Sequence, residues 1–122
     1  MTDRELLELA AKAAGYTTIQ YQNLKDSSLD IRYGIDEAIW NGEDYWNPLE
    51  NDGTALRLAV KLKLSVCPPF WSHANFAEVG IRNHDGEIKS MCRMYDEDSY
   101  AATRKAIVRA AAEIGKSMEV TK

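Results

Sequence analysis

The sequence predicts an α+β fold: a largely antiparallel sheet of about five to six strands packed with three helices, in the order α-β-β-(β)-α-β-β-β-α. Three observations carry that expectation. Helical periodicity recurs at the start, middle and end of the chain. The stretches between alternate apolar and polar residues at strand period. Short polar links separate the strands, as in hairpins, and hairpins make antiparallel sheets. At 122 residues the chain has the length of one domain, 1–122, with a core of its own.

The first helix is expected over about residues 3–14. Thr2 and Glu5 have the spacing of a capping box, and Leu6, Leu9, Ala10 and Ala13 form one stripe. Gly15 supplies the left-handed stop. Thr17 to Gln22 alternates Ile19 and Tyr21 with Thr18, Gln20 and Gln22, a half-buried strand. Leu29, Ile31 and Tyr33 alternate likewise, and the polar link 23–27 suggests that the two pair as a hairpin. A weaker strand spans Glu37–Trp40, followed by Asn41-Gly42, a type I′ turn dipeptide.

The second helix starts at Asn51 or Asp52, either of which can cap it. Ala55, Leu56, Leu58, Ala59, Val60 and Leu62 cover most of its circumference, leaving a narrow polar arc near Thr54, Arg57 and Lys61. A helix apolar nearly all round is buried on more than one side. Ser65–Phe70 is interrupted by Pro68-Pro69 and can only be an edge strand. Phe76–Arg82 and Glu87–Met94 flank the turn 83–86 as a further hairpin, with Ile88, Ser90, Cys92 and Met94 on one face and Lys89, Met91 and Arg93 on the other. The last helix begins in the cluster Asp96-Glu97-Asp98-Ser99, where negative charge suits the helix dipole. Its stripe is Tyr100, Ile107, Val108, Ala111, Ile114 and Met118. Leu7-x-Leu9-Ala10-x-Lys12 recurs as Leu56-x-Leu58-Ala59-x-Lys61; either good helix formers coincide or an α-β-β unit is duplicated.

Composition excludes collagen, disordered tails, disulfide-rich scaffolds and membrane spans: 45% of residues are hydrophobic, 28% are charged and there are two cysteines. The N-terminal stretch carries charges throughout and lacks the apolar run of a signal peptide, so a soluble, cytoplasmic setting is expected. With 15 basic and 19 acidic residues the net charge is −4, which argues against direct nucleic-acid binding. No phosphate-cradling loop, nucleophile elbow or paired metal-ligand spacing occurs. Cys67, His73, His84 and Cys92 could meet on a zinc ion only if two hairpin ends came together; a cysteine–histidine nucleophile pair has no more support. The expectation is no catalytic residue, no metal and no cofactor.

One segment stands apart. Gly34 to Gly53 holds six carboxylates and no Lys, Arg or His, a charge of −6 that leaves +2 for the rest of the chain. Asp36, Glu37, Glu43 and Asp44 interleave there with Trp40, Tyr45 and Trp46. Aromatics beside acids suit an interface with a basic partner surface. The competing reading has the tryptophans covering the core while the acids solvate a loop. Phe70-Trp71 forms a second aromatic patch, and the two together could line a ligand cleft. Two functions follow: binding of a macromolecule through the acidic–aromatic surface, or of a small nucleotide-type ligand. The second would stack on Trp71 or Trp46 and take its charge from Arg32, Lys61, Arg82 or Arg93. Exposed aromatics would also suit a homodimer.

The opening 3–15, the run from Trp46-Asn47-Pro48-Leu49 through Asp52-Gly53 to 55–62, and the closing 101–115 together resemble small proteins of tailed phages and prophages. The arrangement is similar to NinX-like phage proteins and to the phage α-β-α sandwich domain. That resemblance covers the three helices and brings no catalytic residues with it. It implies an accessory protein in the bacterial cytoplasm during phage or prophage expression; the acidic–aromatic segment and the lack of catalytic signatures add the expectation of a host or phage protein as partner.

Overall fold

The computed structural model describes residues 1–17, 19–24, 37–69 and 76–120. Helix α1 (Asp3–Ala13) is followed by β1 (Gln20–Asn23), β2 (Glu37–Trp40) and β3 (Tyr45–Trp46). Then come α2 (Asp52–Lys61), β4 (Ser65–Cys67), β5 (Phe76–Arg82), β6 (Ile88–Tyr95) and the long α3 (Ser99–Val120). The class is α+β, as expected, but the strands form two three-stranded antiparallel sheets, β1-β2-β3 and β4-β5-β6. Each sheet is a meander that follows one helix. Among the described residues the order reads as two successive α-β-β-β runs followed by α3. The matching motifs of α1 and α2 are not matched in environment, because Leu7 is fully buried and Leu56 is 62% exposed.

Both halves of the expected capping box form on α1: Thr2 Oγ1 accepts from the Glu5 amide at 3.2 Å, and the Glu5 carboxylate accepts from the Thr2 amide. Gly15, at φ +92°, lets the chain turn out of the helix while the Gly15 and Tyr16 amides donate to the Lys12 and Ala11 carbonyls. Strand β1 pairs with β2, Tyr21 opposite Ile39. The hairpin partner expected at Leu29–Tyr33 lies outside the described residues. The turn after β2 differs from the type I′ expectation. Asn41 has a negative φ and the loop has four residues, since Trp40 faces Tyr45. The Asn41 side chain accepts from the Glu43 and Asp44 amides, so Asn-Gly here builds an Asx-type turn.

Asn51 caps α2, accepting from the Thr54 amide at 2.8 Å. Only one side of that helix is covered: Ala55, Leu58 and Ala59 are buried, while Leu56 and Val60 are 62% and 69% exposed. The expectation of burial on several sides fails in the single chain. Strand β4 is an edge strand that ends before Pro68, as the prolines require. In the β5–β6 hairpin, Ser90 faces Ile81 but Ile88 faces Arg82, so Lys89 is the extra residue of a bulge. That shift moves Ile88 off the face of Ser90, Cys92 and Met94. It sits with Met91 over Gly80, on the side away from the helix.

Helix α3 lies across the other side of this sheet and against α1 and α2. Its buried face is built mainly of small residues, Ala102, Ala106, Ala110, Ala111 and Ala112, with Ile107 and Val108. Gly115 is buried against α1 so closely that a Cβ there would lie 2.0 Å from the Leu9 carbonyl oxygen. Both ends of the expected stripe are exposed, Tyr100 at 69% and Met118 at 42%. One cluster of buried residues draws on all three helices and both sheets. Ion pairs tie the N-terminal part of α3 to the frame. Lys105 donates to the carboxylate of Asp96, and Arg104 reaches Asp52 at 2.7 Å and the Leu49 carbonyl at 2.8 Å.

Candidate binding surfaces

The acidic–aromatic segment is divided among different parts of the fold. Successive residues of a strand point to opposite faces. Trp46 therefore enters the main core beside Ile39, 8% exposed, with its ring edge-on to Tyr16 at 5.6 Å between centroids. Trp40 and Tyr45 lie on the opposite face, half-buried, with centroids 5.0 Å apart. Tyr45 packs there on buried Leu24 and Ala38. Asn47 and Pro48 are buried too. The Asn47 side-chain Nδ2 donates to the Glu37 carbonyl at 2.6 Å, and its Oδ1 accepts from the Leu49 backbone amide.

The acids are also dispersed. Glu43 and Asp44 are exposed at the β2–β3 turn, where Asp44 accepts from the Tyr45 amide at 2.8 Å. Glu37 is half-buried and accepts from the Tyr21 hydroxyl. Burial first, and then this carboxylate, push the Tyr21 phenol above its ordinary range, while Arg4, 4.7 Å above the ring, opposes the shift. Asp52 is committed to Arg104. Asp36 and Trp71 lie outside the described residues. Of the expected site, the turn thus brings together Trp40, Tyr45, Glu43 and Asp44.

The soft metal ligands and nucleophiles are spread as well. His84 sits in the exposed β5–β6 turn and Cys67 is exposed. Cys92 is half-buried on the α3 side of β6, where burial and the Glu113 carboxylate raise its thiol pKa. His73 falls outside the described residues. Among the described residues no three His, Cys, Asp or Glu side chains are grouped to hold a metal ion. None of the described helices is long and apolar enough to cross a membrane.

A surface that sequence reasoning passed over lies between α2, β4 and α3. A groove of about 390 Å³ runs there, walled by Leu56, Val66, Pro68, Tyr100 and Ile107, with the Asp52–Arg104 pair at its edge. Leu56 and Val60, four residues apart, continue this apolar surface along α2. The signal was present in the sequence as the excess apolar coverage of α2. It was assigned to internal packing because nothing in a helical wheel says whether the second covered side is inside the chain.

No family model matches the chain, and neither the curated proteins nor the solved structures contain a match.

Proposed function

We propose that the chain is a non-catalytic accessory protein that binds a protein partner through the outward side of α2 and the groove beside it. The observation that carries this reading is the exposure of Leu56 and Val60, at 62% and 69%, on a helix whose opposite side is already buried. Large apolar side chains grouped around a concave apolar surface are a mark of interaction sites. The partner segment is one with apolar side chains flanked by Lys or Arg. Its basic flank is argued from Glu97 and Asp98, which in sequence directly precede Ser99 and Tyr100 of the groove wall, and from the net charge of −4. The acidic–aromatic turn at Trp40, Glu43, Asp44 and Tyr45 forms a second contact in the same reading. A phage or prophage setting belongs to the proposal through the resemblance of the three helices, and in that setting the partner is a host or phage protein.

A photo-crosslinking residue placed at position 56 or 60, with position 43 as the second arm, tests this in bacterial cells expressing the chain. The expected result is one partner protein crosslinked from 56 and 60, binding the purified chain through a basic–apolar segment. A crosslink only to a second copy of the chain would overturn the proposed partner, and no crosslink from either position would overturn the surface.

A further inference from the structure

A second concavity lies on the other flank of α2, where its polar arc faces the end of α1 and strand β3. It holds about 240 Å³ and is lined by Tyr16, Trp46, Thr54, Arg57 and Lys61, closed by Ala14 and Leu58. Among the described residues no carboxylate lines it. The Tyr16 and Trp46 rings meet edge to face, at an interplanar angle of 76°. Lys61 Nζ stands 5.3 Å from the Tyr16 centroid, and an Arg57 guanidinium nitrogen lies 3.4 Å from Thr54 Oγ1. Arg57 and Lys61 are four residues apart on one helix, an arrangement in which like charges repel. Neither belongs to any of the ion pairs formed among the described residues. In a chain of net charge −4, two cations without a carboxylate partner among the described residues therefore border a cavity that contains two aromatic rings.

We propose that this cavity binds a small planar anion: one aromatic or nucleobase ring carrying a phosphate or carboxylate group. The size sets the class, because the volume is below the roughly 300–1,000 Å³ of pockets for drug-sized ligands, leaving room for a single ring. The ring packs against Tyr16 and the edge of Trp46. The anionic group stays at the rim, where Arg57 presents its planar fork and Lys61 leaves the Tyr16 face to pair with it. The exchange replaces a cation–π contact by charge-assisted hydrogen bonds and relieves the repulsion between the two cations. Thr54 Oγ1 holds the guanidinium toward the cavity. This site is separate from the partner surface, since positions 57 and 61 lie on a different side of α2 from Leu56 and Val60.

Isothermal titration calorimetry of the full chain with CMP, UMP and 4-hydroxybenzoate tests it, with inorganic phosphate and uridine as the half-ligands. Saturable binding of at least one ring-bearing anion is expected; the two nucleotides against the carboxylate separate the phosphate from the carboxylate source. Each half-ligand, and the Arg57→Ala/Lys61→Ala variant, should bind at least tenfold more weakly. Both side chains are exposed and alanine favours helix, so the variant keeps its fold, checked by circular dichroism. Three results would each overturn the proposal: no saturation by any ring-bearing anion at millimolar concentration, undiminished binding by the double variant, or phosphate alone binding as tightly as the nucleotides. Leu56→Asp should leave this binding unchanged, which separates its failure from failure of the partner surface.

Discussion

Replacing Gly115 by alanine should destabilise the chain, although helix propensity alone predicts the opposite. Gly115 lies inside α3, where the change to alanine returns about 1 kcal/mol of propensity. The added Cβ, however, would stand 2.0 Å from the Leu9 carbonyl oxygen and 2.8 Å from its carbon, both backbone atoms of α1. No rotamer change relieves that contact. The helices must open by about 1 Å to bring it to the 3.0 Å limit of real Cβ contacts. Opening loosens the layer of Leu7, Ala10 and Ala11 against the alanines of α3, where short side chains have no reach to close the gap. Overpacking of this kind costs about 3 kcal/mol at the upper end of its usual range. The net loss is about 2 kcal/mol, a fall in Tm of about 7 °C for a domain of this size. Thermal unfolding followed by circular dichroism at 222 nm reads this directly. Leu9→Ala should not rescue the variant, because the clash is with the main chain. A Tm raised by the propensity gain would refute the close approach of α1 and α3.

Other consequences are local. Lys63 has φ +56° after α2, a conformation in which a Cβ is crowded, so Lys63→Gly should raise stability by about 0.5–1 kcal/mol in urea unfolding. The Lys105 hydrogen bond and then the Asp98 backbone amide hold the Asp96 carboxyl below its ordinary range. A carboxyl depressed in the folded state stabilises above its unfolded pKa of about 3.9 and loses that contribution as pH falls through the folded value. Tm profiles of the parent chain and Asp96→Asn should therefore separate above that unfolded value and converge at lower pH. Burial raises the Cys92 thiol while Cys67 is exposed, so iodoacetamide at pH 8.5 should alkylate Cys67 about tenfold faster, read by peptide mass spectrometry.

Local features of the fold were the most legible in the sequence. The capping box at Thr2 and Glu5, the stop at Gly15 and the cap at Asn51 involve residues a few positions apart, and each is found in the structure. Features decided by distant partners were not. Strand β3 is two residues long, too short for any period, and exists because the Asn41 side chain folds the turn that returns Tyr45 to Trp40. The bulge at Lys89 depends on pairing with Arg82 and turned Ile88 to the other face. Alternation separates the neighbours Tyr45 and Trp46, but which of them joins Trp40 is decided by the four-residue turn, and their shared segment suggested a shared surface. The pairing of Arg57 and Lys61 was visible on the helical wheel of α2; that Tyr16 and Trp46 stand beside them was not, because α1 and β3 bring those rings from elsewhere in the chain.

A binding titration of the crosslinked partner with the parent chain and with Leu56→Asp and Val60→Asp tests the outward stripe of α2 most directly. Both positions are exposed, so each variant should keep the parent helicity and Tm. A carboxylate placed in the buried centre of an interface weakens binding by about 2 kcal/mol or more, roughly thirtyfold in Kd, and that loss is the predicted result. Folded variants that bind the partner with the parent affinity would contradict it.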